Sequence, residues 1–251
     1  MPRNSASAIK LAIAVPTYNE AKNIPKLVKG IENAVSKTGI DCSLYIIDDN
    51  SPDGTGDVAE KLAASEKTKN FSIKVIHREN KQGLGKAYVD GFSKIMHKDC
   101  THILQMDADL SHDPKYIPEF IEAAGRADFV VGSRYIKGGD TPDWSLRRKL
   151  LSRFGNLYAR IFLGNQIHDY TGGFNMYSVA LLRKIDLATL QAGGYGFLIE
   201  LKHLILRQLP TIHEIPIIFI DRQHGVSKIP RSTILKNLML VPKMRFTAHA
   251  R

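Results

Sequence analysis

Through its first half the chain alternates short runs rich in Ile and Val with segments of helical spacing, a pattern that leaves few folds open. The runs Leu11–Val15, Ser43–Ile47, Ser72–Ile76, His102–Met106 and Asp128–Val131 read as buried strands. Segments near Asn23–Ser36, Gly54–Ala64, Gly85–His97 and Asp113–Ala124 read as the helices between them. Continuously apolar strands that alternate with helices predict an α/β fold, with a mainly parallel central sheet covered by helices on both faces. Ligands of such sheets bind beyond the carboxyl ends of the strands. The polar strings fall there: Pro16-Thr17-Tyr18-Asn19-Glu20 after the first strand, Asp48-Asp49-Asn50 after the second, Asp107-Ala108-Asp109 after the fourth and Gly132-Ser133-Arg134-Tyr135 after the fifth.

The second half is organised differently. Ser145–Leu163 has helical spacing, with Leu146, Leu150, Phe154, Leu157, Tyr158 and Ile161 in one sector and Arg148, Lys149, Arg153 and Arg160 on the other side. A short strand near Phe174–Tyr177, a helix near Phe197–Gln208, a strand over Ile212–Ile220 and a last helix from about Ser232 to about residue 246, stopped or kinked at Pro242, complete the expectation. With no repeat, low-complexity tract or linker, a single domain over residues 1–251 is expected.

The formal net charge of +10 calls for an anionic partner: nucleic acid, a membrane surface or a phosphorylated substrate. The aromatics are not interleaved with the basic residues and no nucleic-acid motif occurs, so no nucleic-acid partner is expected. The basic helix over Ser145–Leu163 has two readings, a solvated charged face or an interfacial element that brings Arg groups to lipid phosphates. Residues 222–251 hold seven Lys/Arg and no Asp/Glu, which favours the second. Two distant cysteines, Cys42 and Cys100, suit a reducing cytosol and exclude a disulfide scaffold. No signal peptide or membrane-length apolar run is present.

Two carboxylates at i and i+2 at a strand end can point to one side. Asp107 and Asp109 can there share a hard divalent cation, Mg²⁺ or Mn²⁺, which would bridge the two phosphates of a nucleotide-sugar. In Asp48-Asp49-Asn50-Ser51-Pro52-Asp53-Gly54-Thr55, Asp49 reads as an acceptor for a nucleoside, while Ser51, Asp53 and Thr55 suit a turn and a helix start. Gln82-Gly83-Leu84-Gly85-Lys86-Ala87 lacks a full GxGxxG and reads as a helix start near the donor.

Taken together, the strings VPTYNE (Val15–Glu20), IIDDNSPDGT (Ile46–Thr55), MDADLSHDP (Met106–Pro114), GSRY (Gly132–Tyr135), RRKLLSRFGN (Arg147–Asn156), DYTGGF (Asp169–Phe174) and DRQHGVSK (Asp221–Lys228) resemble those of polyprenol-phosphate (dolichol-phosphate) mannosyltransferases. These are family-two inverting glycosyltransferases with the GT-A fold, and the resemblance runs from about Ile9 to Leu240. It implies donor contacts at Pro16, Tyr18, Glu20, Ile47 and Asp49, and metal ligation by Asp107 and Asp109, with Ala108 at the diphosphate. Ser111 stands where some relatives carry a Gln of the metal shell. Arg134, Arg222 and Lys228 match positions that hold phosphate and donor, with Asp109 and these three as the catalytic set. Arg134, Arg148 and Ser152 are the expected acceptor-phosphate set.

The sequence departs from the pattern in DDNS for DDGS, in Leu198 for Gln, and in having no transmembrane tail after Lys228. The resemblance therefore implies an enzyme that moves mannose from GDP-mannose to a polyprenyl phosphate. It would be peripheral on the cytoplasmic face of a membrane, held there by its basic surface or by a membrane-anchoring subunit. Two alternatives stay open: transfer of glucose or another sugar from a UDP-sugar, and a non-catalytic basic membrane-peripheral module.

Overall fold

The computed structural model describes residues 9–190, 193–221 and 239–245. Its first half follows the expected alternation of β1 (Lys10–Thr17), α1 (Ile24–Ser36), β2 (Asp41–Asp48), α2 (Thr55–Ser65), β3 (Phe71–His77), α3 (Leu84–Ile95), β4 (His102–Gln105), α4 (Ile117–Ala124) and β5 (Phe129–Ser133). The helix expected from Asp113 begins as a 3₁₀ turn, Pro114–Tyr116, whose Lys115 N–H is capped by the Asp113 carboxylate. A proline at the start of each of these two pieces lacks an N–H the first turn does not need.

The second half contributes α5 (Leu146–Leu163), β6 (Asn175–Ser178), the short α6 (Val179–Leu182), α7 (Tyr195–Leu206) and β7 (Ile212–Pro216). The seven strands form one sheet in the order β3-β2-β1-β4-β6-β5-β7. All neighbours run parallel except β6, which is antiparallel to both β4 and β5. The strand expected over Ile212–Ile220 ends early because its partner β5 ends at Ser133, which pairs with Pro216. Ile218 instead bridges to Asp140. Residues 239–245 are helical, with Pro242 inside the helix rather than at its end. The rest of the expected last helix lies outside the described residues.

Side chains of β1 show how the two faces are filled. Leu11, Ile13 and Val15 point to one face with the α1 residues Ile24, Leu27, Val28 and Ile31. Ala12 and Ala14 point to the other, where Tyr88 and Phe92 of α3 join the same buried cluster. Gly91 lets α3 come that close, since a Cβ there would collide with Cδ1 of Ile47. Both faces are thus covered, and the carboxyl ends of β1, β2 and β4 share one edge.

Candidate functional site

The loops after β1 and β2 are stitched together by backbone-to-side-chain bonds. Asn19 N donates to Ser51 Oγ at 3.0 Å, Glu20 N to Thr55 Oγ1 at 2.9 Å and Ala21 N to Asp53 Oδ2 at 3.2 Å. Asp48 accepts from Thr17 Oγ1 at 3.0 Å and from Ser51 Oγ at 2.6 Å, locking the two strand ends side by side. Asn19 and Asn50 both sit in the left-handed region, with φ of 57°. Asn tolerates that conformation nearly as Gly does, so DDNS in place of DDGS keeps the same turn.

Asp49 is buried and fully engaged with its own chain. Its carboxylate accepts from Gln82 N at 3.1 Å, from Gly83 N at 2.9 Å and from Arg78 Nη1. It therefore fixes the loop that starts α3, the helix start expected near the donor. Arg78, which no sequence pattern singled out, also reaches Asp90 at 2.7 Å and Gln82 Oε1 at 3.1 Å. Across this pocket edge Lys81 Nζ lies 3.7 Å from the centre of the Tyr18 ring. Pro16 and Ile47 are paired neighbours at the ends of β1 and β2. Glu20 accepts from Asn23 Nδ2 at 2.6 Å, and Ile47 is wholly buried.

Asp107 and Asp109 follow β4. Asp107 accepts from Tyr88 Oη at 3.2 Å, and its side chain is 34% exposed. Asp109 accepts from both Ser111 N at 3.1 Å and Ser111 Oγ at 2.5 Å, so Ser111 supports the carboxylate. Between them Ala108 is buried, and Leu110 just beyond adopts a left-handed φ of 65°, unusual for a branched side chain. His112 is buried against Phe174, and its Nδ1 accepts from Asp107 N at 2.9 Å. Burial lowers its pKa, a direction only partly opposed by the Asp107 and Asp109 charges. Gly173 completes the wall, since a Cβ there would meet His112 Cε1 at 3.4 Å and Asp107 Oδ2 at 3.5 Å. Two carboxylates with a serine hydroxyl are an oxygen-only donor set. Such a set fits Mg²⁺ or Mn²⁺ when substrate oxygens fill the remaining positions. No group of three His, Cys, Asp or Glu that could hold a metal alone is found among the described residues.

The second cluster joins GSRY, RRKLLSRFGN and DYTGGF. Arg134 makes a two-pronged pair with Asp169, Nε to Oδ2 at 2.7 Å and Nη2 to Oδ1 at 2.8 Å, and also reaches Thr171 Oγ1 at 2.8 Å. Both side chains are almost wholly buried. Burial alone would raise the Asp169 pKa, but the charges and hydrogen bonds of Arg134 and Lys202 bring it down to about 2. Lys202 of α7 is itself fully buried, donates to the Asp169 backbone oxygen at 2.6 Å, and has its pKa lowered to about 8 by desolvation. Asn156 on α5 ties the same loop down: its Oδ1 accepts from Tyr170 N at 2.7 Å and Thr171 N at 3.2 Å.

At the other end of α5, Arg148 Nη1 meets Asp221 Oδ2 at 3.0 Å, with both side chains 41% exposed. One turn on, Ser152 Oγ accepts from Tyr135 Oη at 2.6 Å. Arg134, Tyr135, Arg148 and Ser152 thus lie in one connected region. Arg222 and Lys228 lie outside the described residues. Asp169 and Asn156 stand inside strings already singled out but had no role assigned. Lys202 had one usable signal, a single cation in the apolar run of α7.

The apolar sector of α5 faces outward. Leu146 is 72% exposed, Ile161 71%, Leu150 and Phe154 57%, and Leu151 and Leu157 52%. The buried side carries Asn156, Ala159 and Leu163. The solvent-facing side of this helix is largely hydrocarbon, with the exposed Arg147 and Arg153 beside it.

The family model described as glycosyl transferase family 2 matches residues 12–186. The chain belongs to that family. Among curated relatives, this family 2 glycosyltransferase is 38% identical over 221 residues to the undecaprenyl-phosphate mannosyltransferase of Micrococcus luteus, covering 88% of each chain. It is 37% identical over 230 residues to the polyprenol monophosphomannose synthase of Mycolicibacterium smegmatis, covering 91% of this chain and 84% of that one. The expected GT-A fold is seen again in glucosyl-3-phosphoglycerate synthase from Mycobacterium tuberculosis, solved with Mn²⁺, UDP and glucosyl-3-phosphoglycerate. That match has a TM-score of 0.63 at 18% identity, over 95% of this chain and 79% of that one. Mannosyl-3-phosphoglycerate synthase from Rubrobacter xylanophilus matches with a TM-score of 0.65 at 15% identity, over 96% and 74%.

Proposed function

We propose that this family 2 enzyme transfers mannose from GDP-mannose to a polyprenyl (dolichol-type) monophosphate, with inversion at the anomeric carbon. The observation that carries this reading is the 37–38% identity, over most of the chain, to two enzymes whose names specify mannose and a polyprenyl lipid. Asp107 and Asp109 would hold Mg²⁺ or Mn²⁺, which when bound neutralises charge on the departing diphosphate. Ser111 and Tyr88 orient those carboxylates through the hydrogen bonds described above.

A phosphate monoester is anionic near neutral pH, so its oxygen attacks without a dedicated general base. His112 suits no such role, being buried with Nδ1 engaged by Asp107 N. What the chain supplies is alignment and charge stabilisation. Ser152 accepts from Tyr135, which leaves its own hydroxyl proton to donate to an acceptor phosphate oxygen. The Arg148–Asp221 pair is half exposed, so an incoming phosphate can compete for the guanidinium. Arg134, held by Asp169, keeps a fixed positive charge at the junction of donor and acceptor sides. Arg222 and Lys228 remain the proposed partners of the diphosphate.

The outward hydrocarbon face of α5, with exposed Arg147 and Arg153 beside it, supports a peripheral seat on an anionic leaflet. No helix among the described residues is long and apolar enough to cross a membrane. A membrane-anchoring subunit is compatible with the same face.

The test is incubation with prenyl phosphate, Mg²⁺ or Mn²⁺, and a panel of labelled GDP-mannose and UDP-sugars, scoring lipid-extractable label. GDP-mannose with metal should give label that a chelator abolishes, and Asp109→Ala should reduce it to background while leaving the fold intact. Label from UDP-glucose instead would replace the donor assignment, and no label from any donor would favour a non-catalytic module.

A further inference from the structure

Trp144 is the chain's single tryptophan, placed in the turn that enters α5 just before its capping residue Ser145. The side chain is 8% exposed, and its indole N–H has no hydrogen-bond partner. Buried donors are nearly always paired, so an orphan of this kind asks for an explanation. Its surroundings supply one. The Arg148 guanidinium carbon lies 4.0 Å from the centre of the indole ring, and that of Arg134 lies 5.5 Å from it. Phe219 packs edge-on at 5.5 Å, closing the apolar side.

The indole therefore sits between two cations proposed above to serve phosphate, at the N-terminus of an 18-residue helix. Four groups here favour an anion: two guanidinium groups, the helix end and the indole N–H. Two carboxylates also lie here: Asp221, which pairs with Arg148, and Asp143, whose Oδ2 accepts from Asp221 N at 3.0 Å. An incoming phosphate would take the place of Asp221 on Arg148.

We propose that Trp144 Nε1–H donates a hydrogen bond to the monophosphate of the acceptor, adding a phosphate-binding group to Arg134, Arg148 and Ser152. The inference rests on the reading of the acceptor as a prenyl phosphate. It also assigns the ring a second task, since its stacking on Arg148 sets that guanidinium beside the same anion.

A single tryptophan allows a direct test, because ¹⁵N-tryptophan labelling gives one indole N–H resonance. Addition of a short-chain prenyl monophosphate in micelles should move that resonance downfield, whereas the matching prenyl alcohol should not. A shift produced equally by the alcohol, or by GDP with Mg²⁺ alone, would overturn the assignment, as would no shift at saturating phosphate. In kinetics, Trp144→Phe keeps a ring for Arg148 and removes only the donor. It should raise KM for prenyl phosphate about ten-fold, as expected for a hydrogen bond to a charged group, while KM for the sugar nucleotide and kcat stay within about two-fold. An unchanged acceptor KM would overturn the proposal, and a matched unfolding midpoint keeps the comparison free of misfolding. Absence of transfer by the unaltered enzyme would instead overturn the functional reading, while the resonance titration would still decide the role of Trp144.

Discussion

Helices α1 and α5 carry the same kind of sequence and lie in opposite orientations. Both place apolar residues at helical spacing along one sector. In α1 that sector is the buried one, with Ile24, Leu27, Val28, Ile31, Ala34 and Val35 against the sheet. In α5 it is the exposed one, and the helix is held from behind by Asn156, Ala159 and Leu163. Hydrophobic burial attaches α1, whereas α5 combines a narrow apolar contact, through Ala159, Leu163, Tyr158 and Phe162, with hydrogen bonds from Asn156 to the Tyr170 and Thr171 amides. An amphipathic pattern thus specifies an angle around a helix but not which way that angle faces. What decides is the neighbour each sector meets, and for the exposed sector of α5 the proposed neighbour is lipid.

The contrast can be broken at its polar end first. Asp169→Asn leaves Arg134 and Lys202 buried without their carboxylate, and should cost about 4 kcal/mol in chemical denaturation. The sign of its pH dependence follows from a folded pKa near 2 against an ordinary value near 4. A carboxylate whose pKa is lowered by folding contributes its full stability above about pH 4 and loses it as the pH falls through about 2. The gap between the unaltered protein and Asp169→Asn should therefore be constant from pH 7 to 4 and narrow below that.

Leu27→Ala, at the apolar attachment of α1, should cost about 3 kcal/mol by the loss of buried hydrocarbon and the cavity left behind. Asn156→Ala should cost about 2 kcal/mol, because two buried amides, Tyr170 N and Thr171 N, lose their acceptor. The smallest effect belongs to the outward face of α5. Leu150→Ser with Phe154→Ser should change stability by less than about 0.5 kcal/mol, as surface substitutions usually do. A loss of several kcal/mol from that pair would mean the sector is buried and would erase the contrast.

The parallel part of the sheet was legible because its strands are apolar on both faces and separated by helices, so each polar string had to fall at a strand end. Asp107-Ala108-Asp109 and Pro16–Glu20 stand where that reasoning put them. The antiparallel β6 was visible as a short strand but not in its place between β4 and β5, since four residues carry no information about partners. Asp49 was read as a nucleoside acceptor, and its carboxylate is found binding the Gln82 and Gly83 amides, a pairing 33 and 34 residues away that local pattern cannot reveal. The same holds for Arg134 with Asp169 and Lys202, where residues just after β5, in a loop and on α7 set one buried carboxylate between two cations. Asn50 shows the reverse case: a departure in sequence falls at a left-handed φ of 57°, a conformation that suits Gly and Asn alike.

The most direct test compares two acceptors with the Leu150→Ser, Phe154→Ser, Leu157→Ser variant. One acceptor is a long-chain polyprenyl phosphate in vesicles of phosphatidylglycerol, the other a short-chain prenyl phosphate in solution, and the readout is mannose transferred to lipid from labelled GDP-mannose. The variant should match the unaltered enzyme on the soluble acceptor and fall by at least about ten-fold on the vesicle-borne one, because three buried side chains' worth of membrane contact is gone. Equal rates on vesicles, or an equal loss on both acceptors, would contradict the assignment of α5 as the face that meets the lipid.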